Sequence, residues 1–461
     1  MINRKILFIA YLFPPVVGKG LPGVQRTVKF LRHLPQCENY VLTLKTERYP
    51  NFFTLETSVA LPIAGETIIR TTSIDLLEVL HQWRNAAKAL FKRLPSTHAE
   101  NRQSPAPVGG APEAGAPKNF FAQFKDALSE VLTFPDFASS WIAPAVWEGV
   151  NVVRNHNIDV VFATGLPWTS LLVGGLIKKI ANVKLVIDFR DPWVNNPFST
   201  DKGPIRRKAE RYVEKRLVEW ADVVSLNTEA LRNDFLQRYS YLTPDKFIVL
   251  YNGYDTVDFQ KIDSQALRKQ EINDNLILAH AGFLYGIRDP RSIFNAIEQV
   301  RRQAPAIADK IKFIQIGEIH LNYDLPTFVN EKGLQTNYEH LGQLPYNVCL
   351  QSMALSDILV IIQPDTQTQI PSKLYEYIYL DKPILVITHK GGALYQLVNK
   401  YQFGEAFEPE DVNGIAQYLI DKLAQKEKGV ILHEHYKNKA LFDVKAIAGQ
   451  LRKVIEEIVS N

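Results

Sequence analysis

Short apolar runs with the length of buried strands recur between stretches of helical periodicity, and this alternation constrains the fold more than any other feature. "KILFIAYLF", "NYVLTL", "DVVFAT" and "KLVIDF" lie in the first half, and "LILAHAG", "KFIQIG", "DILVIIQ" and "PILVIT" in the second. Strands that alternate with helices predict parallel sheets covered by helices. The stretch "FIVLYNGYDTVDF", Phe247 to Phe259, ends a strand in Asn252-Gly253 and continues polar, which predicts the break between two halves. The expected fold class is therefore α/β, with two doubly wound parallel-sheet domains. Such sheets take ligands beyond the carboxyl ends of their strands, so two of them facing one another enclose a cleft.

The 461 residues are 46% hydrophobic and 22% charged, which supplies apolar material for two or three cores. Cys37 and Cys349 match no metal-ligand spacing, so the sequence argues against a disulfide framework or a cysteine zinc site and fits a reducing compartment. The opening "MINRKILFIAYLFPPVV" imitates a signal peptide. Pro14-Pro15 ends the apolar run, however, and no small-x-small cleavage pattern follows, so a first buried strand is expected. No run reaches the roughly eighteen apolar residues of a membrane-spanning helix. Residues 1–260 hold 31 Lys and Arg against 25 Asp and Glu, leaving 22 against 24 for the remainder. This mild tilt allows the first half to face an anionic bilayer, whereas nucleic acid usually demands more.

Between Arg93 and Asn119 runs "RLPSTHAENRQSPAPVGGAPEAGAPK", whose composition predicts a mobile insertion of about residues 95–119. On its flanks, Trp83, Phe91, Phe120, Phe121 and Phe124 recur at helical spacing beside Lys88, Lys92, Arg93 and Lys125. That pattern fits interfacial helices on a membrane and equally helices packed on their own domain.

Charge concentrates where strands end. In "LFPPVVGKGLPGVQRTVKFLRHL", Gly18, Gly20 and Gly23 form a loop ahead of an amphipathic helix beginning near Val24, but the pattern is neither a dinucleotide fingerprint nor a P-loop. "KLVIDFRDPW" brings Asp188, Arg190 and Asp191 to the end of a buried strand; Asp188 and Arg190 share a face, so one carboxylate could simply satisfy the arginine. "HAGFLYGIRDPRSIFNAI" turns through Gly282 and Gly286 to Arg288, just before a helix that Asp289-Pro290 can start, and an arginine there suits a diphosphate. In "QIPSKLYEYIYLDKPILVI", Lys373 and Glu376 share one face near the amino end of a helix for which Pro371 suits the first position. Free amides there favour an anion, although a surface ion pair of about half a kcal/mol would also account for the two residues.

Together and in this order, "YLFPPVVGKGLPGVQRTVKFL", "DFRDPW", "YNGYD", "GFLYGIRDP" and "IPSKLYEYIYLDKPIL" resemble the retaining glycosyltransferases of family 4, which have the GT-B fold. The resemblance covers nearly the whole chain except the insertion. It implies an acceptor-side Rossmann-like domain over 1–255, a nucleotide-sugar donor domain over 256–440, and a C-terminal helix, 441–461, able to cross back to the first domain. It further implies that Glu376 binds the donor ribose and that Arg288 and Lys373 face the diphosphate. Gly282 and Leu374 would contact the donor, and Gly317, Leu344 and Tyr346 would line the base pocket. Gly18, Gly20 and Gly23 would lie beside the phosphates and acceptor, and Asp191 with Arg190 would stand near the attacking hydroxyl as the catalytic pair. No metal or other cofactor is implied beyond the nucleotide-sugar co-substrate. The implied acceptor is a glycan or a lipid-linked precursor of surface polysaccharide, handled in the cytoplasm with peripheral membrane contact.

Three departures stand out. Thr368 occupies the place, eight residues before Glu376, where the family often has a first glutamate; Arg190 stands where many members carry histidine; and Phe283 replaces the first arginine of the diphosphate pair. Two other functions stay open: a non-catalytic GT-B partner protein that binds nucleotide or glycan, and a nucleotide-sugar epimerase.

Overall fold

The computed structural model describes residues 4–17, 23–51, 53–55, 61–74, 133–197, 203–262, 274–364 and 366–460. Gly18, Gly20, the insertion and both of its aromatic flanks lie outside the described residues.

Two parallel sheets organise the chain. The first has seven strands in the spatial order Thr67–Thr71, Glu38–Leu44, Lys5–Ile9, Val160–Gly165, Lys184–Phe189, Val223–Leu226 and Phe247–Val249. The second has six: Tyr338–Gly342, Ile311–Ile316, Leu276–Ala281, Ile358–Ile362, Ile384–Ile387 and Glu405–Phe407. In chain order the first reads 3-2-1-4-5-6-7 and the second 3-2-1-4-5-6, the doubly wound arrangement whose strand order reverses beside the first strand. Central strands are buried along their length, as in Val160–Gly165 and Ile384–Ile387, because helices cover both faces.

The chain passes between the sheets twice, and the two passages bond to one another. Tyr254 N–H donates to the Phe442 carbonyl and Val444 N–H to the Tyr254 carbonyl, each at 3.0 Å. Beyond this junction the helix Val444–Ser460 returns to the first sheet, where Ile447, Leu451 and Ile455 enter the core with Phe8, Phe30 and Phe162.

The helix Gly23–His33 ties the junction to the first sheet. Its Arg26, Lys29 and Arg32 recur at three-residue intervals and so project from neighbouring positions on one side. Arg26 donates to the Leu250 and Tyr251 carbonyls at 2.8 and 2.9 Å. Lys29 reaches the Gly253 carbonyl at 3.3 Å and Asp258 at 3.4 Å. Arg32 bridges Asp255 and Asp258, both at 3.0 Å, and His33 lies 3.1 Å from Asp255.

Candidate functional site

The carboxyl ends of the two sheets bring three groups of polar side chains together. The first surrounds Asp188. Strand register sets Thr164 on one side of it and Ser225 on the other, and both hydroxyls donate to its carboxylate at 2.8 Å. The bidentate partner is Arg26, with Nε to Oδ2 at 2.9 Å and Nη2 to Oδ1 at 2.8 Å. Burial alone would raise this carboxyl, but Arg26 and the two hydroxyls outweigh it and hold the pKa below the ordinary range. Asp188 therefore satisfies an arginine, but that arginine is Arg26 and not Arg190.

Arg190 lies just past the strand end and donates to the carbonyls of Gly165 and Leu166. Burial lowers its pKa to about 10, partly offset by Asp188 and Asp191. Asp191 is half-buried and accepts from Gln369 Nε2 of the second domain at 2.7 Å. Burial raises the Asp191 carboxyl against the pull of Gln369, Arg190 and Arg288. A second bond across the cleft runs from Thr228 Oγ1 to the Thr368 carbonyl at 2.7 Å.

The second domain supplies the remaining groups. Arg288 Nε donates to Gln363 Oε1 at 2.8 Å, and its guanidinium lies 5.1 Å from the Tyr285 ring centroid. Register pairs His280 with Gln315, whose amide oxygen accepts from the ring at 2.8 Å while its nitrogen donates to the Gly282 carbonyl at 2.7 Å. Burial, with Arg288 and Lys373 nearby, lowers the His280 pKa to about 4, so the ring is neutral at neutral pH. Gly317 adopts φ +119°, and a Cβ there would stand 2.5 Å from the Gly282 carbonyl oxygen. The two glycines are thus packed backbone to backbone at the mouth of the sheet.

Glu376 is 7% exposed, and each of its oxygens has one partner. One oxygen accepts from Lys373 Nζ at 3.0 Å and the other from Tyr346 Oη at 2.8 Å, and Tyr346 also lies 3.3 Å from Asp258. Burial pushes the carboxyl up, while Lys373, Lys29 and the tyrosine hydroxyl more than compensate, so the group is held below its usual range. Lys373 stands 5.3 Å over the Tyr346 ring.

Several expectations need correction. The helix holding Lys373 and Glu376 spans only Lys373–Tyr379, two residues later than Pro371 suggests. Its early amides are not free: Leu374 N–H donates to the Pro371 carbonyl at 3.1 Å and Tyr375 N–H to Ser372 at 3.2 Å. Leu374, expected to contact the donor, is fully buried in the core. Gly23 is the first residue of a helix. Leu344 packs partly buried against the same core as Leu374. His280, Gln363, Gln369 and Asp258 were not anticipated. Among the described residues no group of three or more His, Cys, Asp or Glu side chains is arranged to hold a metal ion.

Two facing doubly wound domains with this topology define the GT-B fold. Comparison with solved structures places it there: Anabaena HepE in complex with UDP gives a TM-score of 0.60 at 15% identity, covering 99% of this chain and 100% of that one. Sucrose-phosphate synthase from Thermosynechococcus elongatus gives 0.56 at 15% identity over 99% and 100%. At the level of family, the chain is similar to glycosyltransferase family 4, whose model matches residues 112–258. A curated relative, the D-inositol 3-phosphate glycosyltransferase of Corynebacterium efficiens, is 25% identical over 144 residues, or 30% of this chain. The match spans 34% of that relative's own length.

Proposed function

We infer that the protein transfers a sugar from a nucleotide-sugar donor to a glycan or lipid-linked acceptor, with retention at the anomeric carbon. The observation that carries this reading is the convergence of Arg288, Lys373 and Glu376 at the carboxyl edge of the second sheet, opposite Asp191 and Arg190. Arg288 follows the strand Leu276–Ala281 and Lys373 the strand Ile358–Ile362, and these strands are neighbours, so both cations border the volume beyond one stretch of the sheet's carboxyl edge. In that volume Arg288 and Lys373 offset the charge that grows on a departing diphosphate, as positioned cations do at loose transition states. Glu376 accepts from the ribose hydroxyls, and Gly282 and Gly317 let the backbone approach the nucleotide. These residues supply charge compensation through side chains, and the reading includes no metal.

The acceptor hydroxyl attacks from the face that the diphosphate leaves. A carbon–oxygen bond forms as the old one breaks, and the hydroxyl proton passes to the departing phosphate oxygen. Asp191, oriented by Gln369, hydrogen-bonds the attacking hydroxyl, and Arg190 fixes the loop that carries it. The enzyme would work at the cytoplasmic face of a membrane.

Calorimetry with nucleoside diphosphates tests the donor half. Arg288→Ala should weaken diphosphate binding by about 1.5–3 kcal/mol, the worth of a charge-assisted bond, and unchanged affinity would refute the assignment. Thr368, in the place of the family's first glutamate, motivates a second reading as a non-catalytic binding protein. Slow donor hydrolysis above background separates the two, since a binding protein has none.

A further inference from the structure

The helix Gly203–Trp220 carries its charges in an unusual distribution. Arg207, Lys208, Arg211, Lys215 and Arg216 are all exposed, and at 100° per residue they fall within one half of the helix circumference. Two of the three acids are turned the other way. Glu210 and Glu214 are buried at 4% and 0%, bonded to Arg206 at 3.3 Å and to Tyr239 Oη at 2.8 Å. Glu219, at the last turn, does fall in the basic half, but it is half-buried and occupied by Arg216 and by Tyr241 Oη, both at 3.0 Å, with Lys215 at 3.8 Å. No carboxylate of this helix is classed as exposed. Ahead of that last turn the exposed half carries one sign only, although like charges three and four residues apart, here Lys208–Arg211, Arg207–Arg211 and Arg211–Lys215, disfavour an isolated helix.

Large apolar side chains emerge from this same half. Ile205 is 85% exposed and Tyr212 59% exposed. By helical position Ile205 neighbours Lys208, and Tyr212 neighbours Lys208, Lys215 and Arg216. Arg206 secures the first turn from behind, donating to the Pro135 carbonyl at 2.7 Å and lying 4.9 Å from the Phe134 ring centroid. The helix is also coupled to the cleft: Val194 N–H, three residues beyond Asp191, donates to Glu214 Oε2 at 3.2 Å.

We propose that this face of Gly203–Trp220 docks on an anionic lipid surface, with Ile205 and Tyr212 entering the interface and the cations resting on the headgroups. Charge complementarity selects the partner. A basic stripe alone would suit any polyanion, but an isoleucine at the head of the stripe loses water only against an apolar phase. The inference does not depend on the glycosyltransferase reading, since lipid binding needs no donor or acceptor.

Co-sedimentation of the full chain with phosphatidylglycerol-containing vesicles at low salt is expected to pull the protein down. Pure phosphatidylcholine vesicles should not, and molar salt should release the bound protein as the screening length falls from about 10 to about 3 Å. Combining Lys208→Ala, Arg211→Ala and Lys215→Ala should lower the partition coefficient by about a hundredfold. Ile205→Ser should lower it several-fold with little further salt dependence. All four side chains are exposed, so circular dichroism should stay unchanged. Wild-type protein that ignores anionic vesicles, or a triple variant that binds as wild type does, would overturn the proposal. So would binding to heparin or single-stranded DNA that equals vesicle binding and is insensitive to Ile205→Ser. A chain lacking residues 84–130 should still bind; loss of binding there, with retention in the triple variant, would move the contact to the insertion and also overturn it.

Discussion

Asp188 and Glu376 are buried carboxylates with opposite consequences for substitution. Asp188 is closed on all sides by Arg26, Thr164 and Ser225, so Asp188→Ala should leave Arg26 buried without its counter-ion and cost about 3–5 kcal/mol in urea unfolding. Its folded pKa is depressed, so the stability it contributes is present above the unfolded value of about 3.9 and is lost as pH falls through the folded value. Acid titration followed by fluorescence should therefore show wild type and Asp188→Asn drawing together in stability at low pH and apart near neutrality. Glu376 holds only Lys373 and Tyr346 and borders the cleft. Glu376→Gln keeps the shape and an acceptor for the tyrosine, so activity at subsaturating donor should fall at least tenfold while the melting curve moves little. Full activity across donor concentrations would remove Glu376 from the ribose role.

Among the elements, the helix Val444–Ser460 belongs energetically to the first sheet. Leu451 is fully buried there, and Leu451→Ala should cost about 2–5 kcal/mol by chemical denaturation. At Gly317, alanine must tolerate both φ +119° and a 2.5 Å approach to a carbonyl oxygen, so Gly317→Ala should lower thermal stability clearly. The same scale explains what could be read in advance. All eight strands quoted from the sequence form, because continuous apolar runs flanked by turn residues have few other uses. Four more strands carry too weak a pattern. Thr67–Thr71 is an edge strand with a threonine at each end and an arginine within, Tyr338–Gly342 is one with mostly exposed side chains, Glu405–Phe407 is three residues long, and Val223–Leu226 is interrupted by Ser225. In the candidate site, Arg288, Lys373 and Glu376 stood out as charges after apolar runs. Gln363 and Gln369 did not, because a neutral amide leaves no mark on a charge pattern. The bond from Gln369 to Asp191, moreover, joins residues 178 apart in sequence. Arg26, Lys29 and Arg32 did leave a local signal in their three-residue spacing, but their partners at the junction lie more than 220 residues away and Asp188 lies 162 from Arg26.

Across the molecule, the two sheets have separate cores. Val161, Leu185 and Leu226 are typical of one; Leu278, Val360 and Leu385 are typical of the other. The bonds across the cleft, Gln369 to Asp191 and Thr228 to Thr368, are few and polar. Interfaces of that kind permit relative domain motion, and opening the cleft would break these contacts while the junction held. The junction has a further consequence. Because the outgoing and returning passages are joined at Tyr254 and Phe442, everything between them leaves and re-enters the first domain at a single point. The second domain is thus a cassette with adjacent ends. A chain of residues 254–443 should show its own cooperative melting transition, and absence of one would mean that it borrows stability from its host. If it does stand alone, a relative's second domain could be grafted at these two cut sites together, which on the function proposed above changes the donor and leaves the acceptor surface as it was.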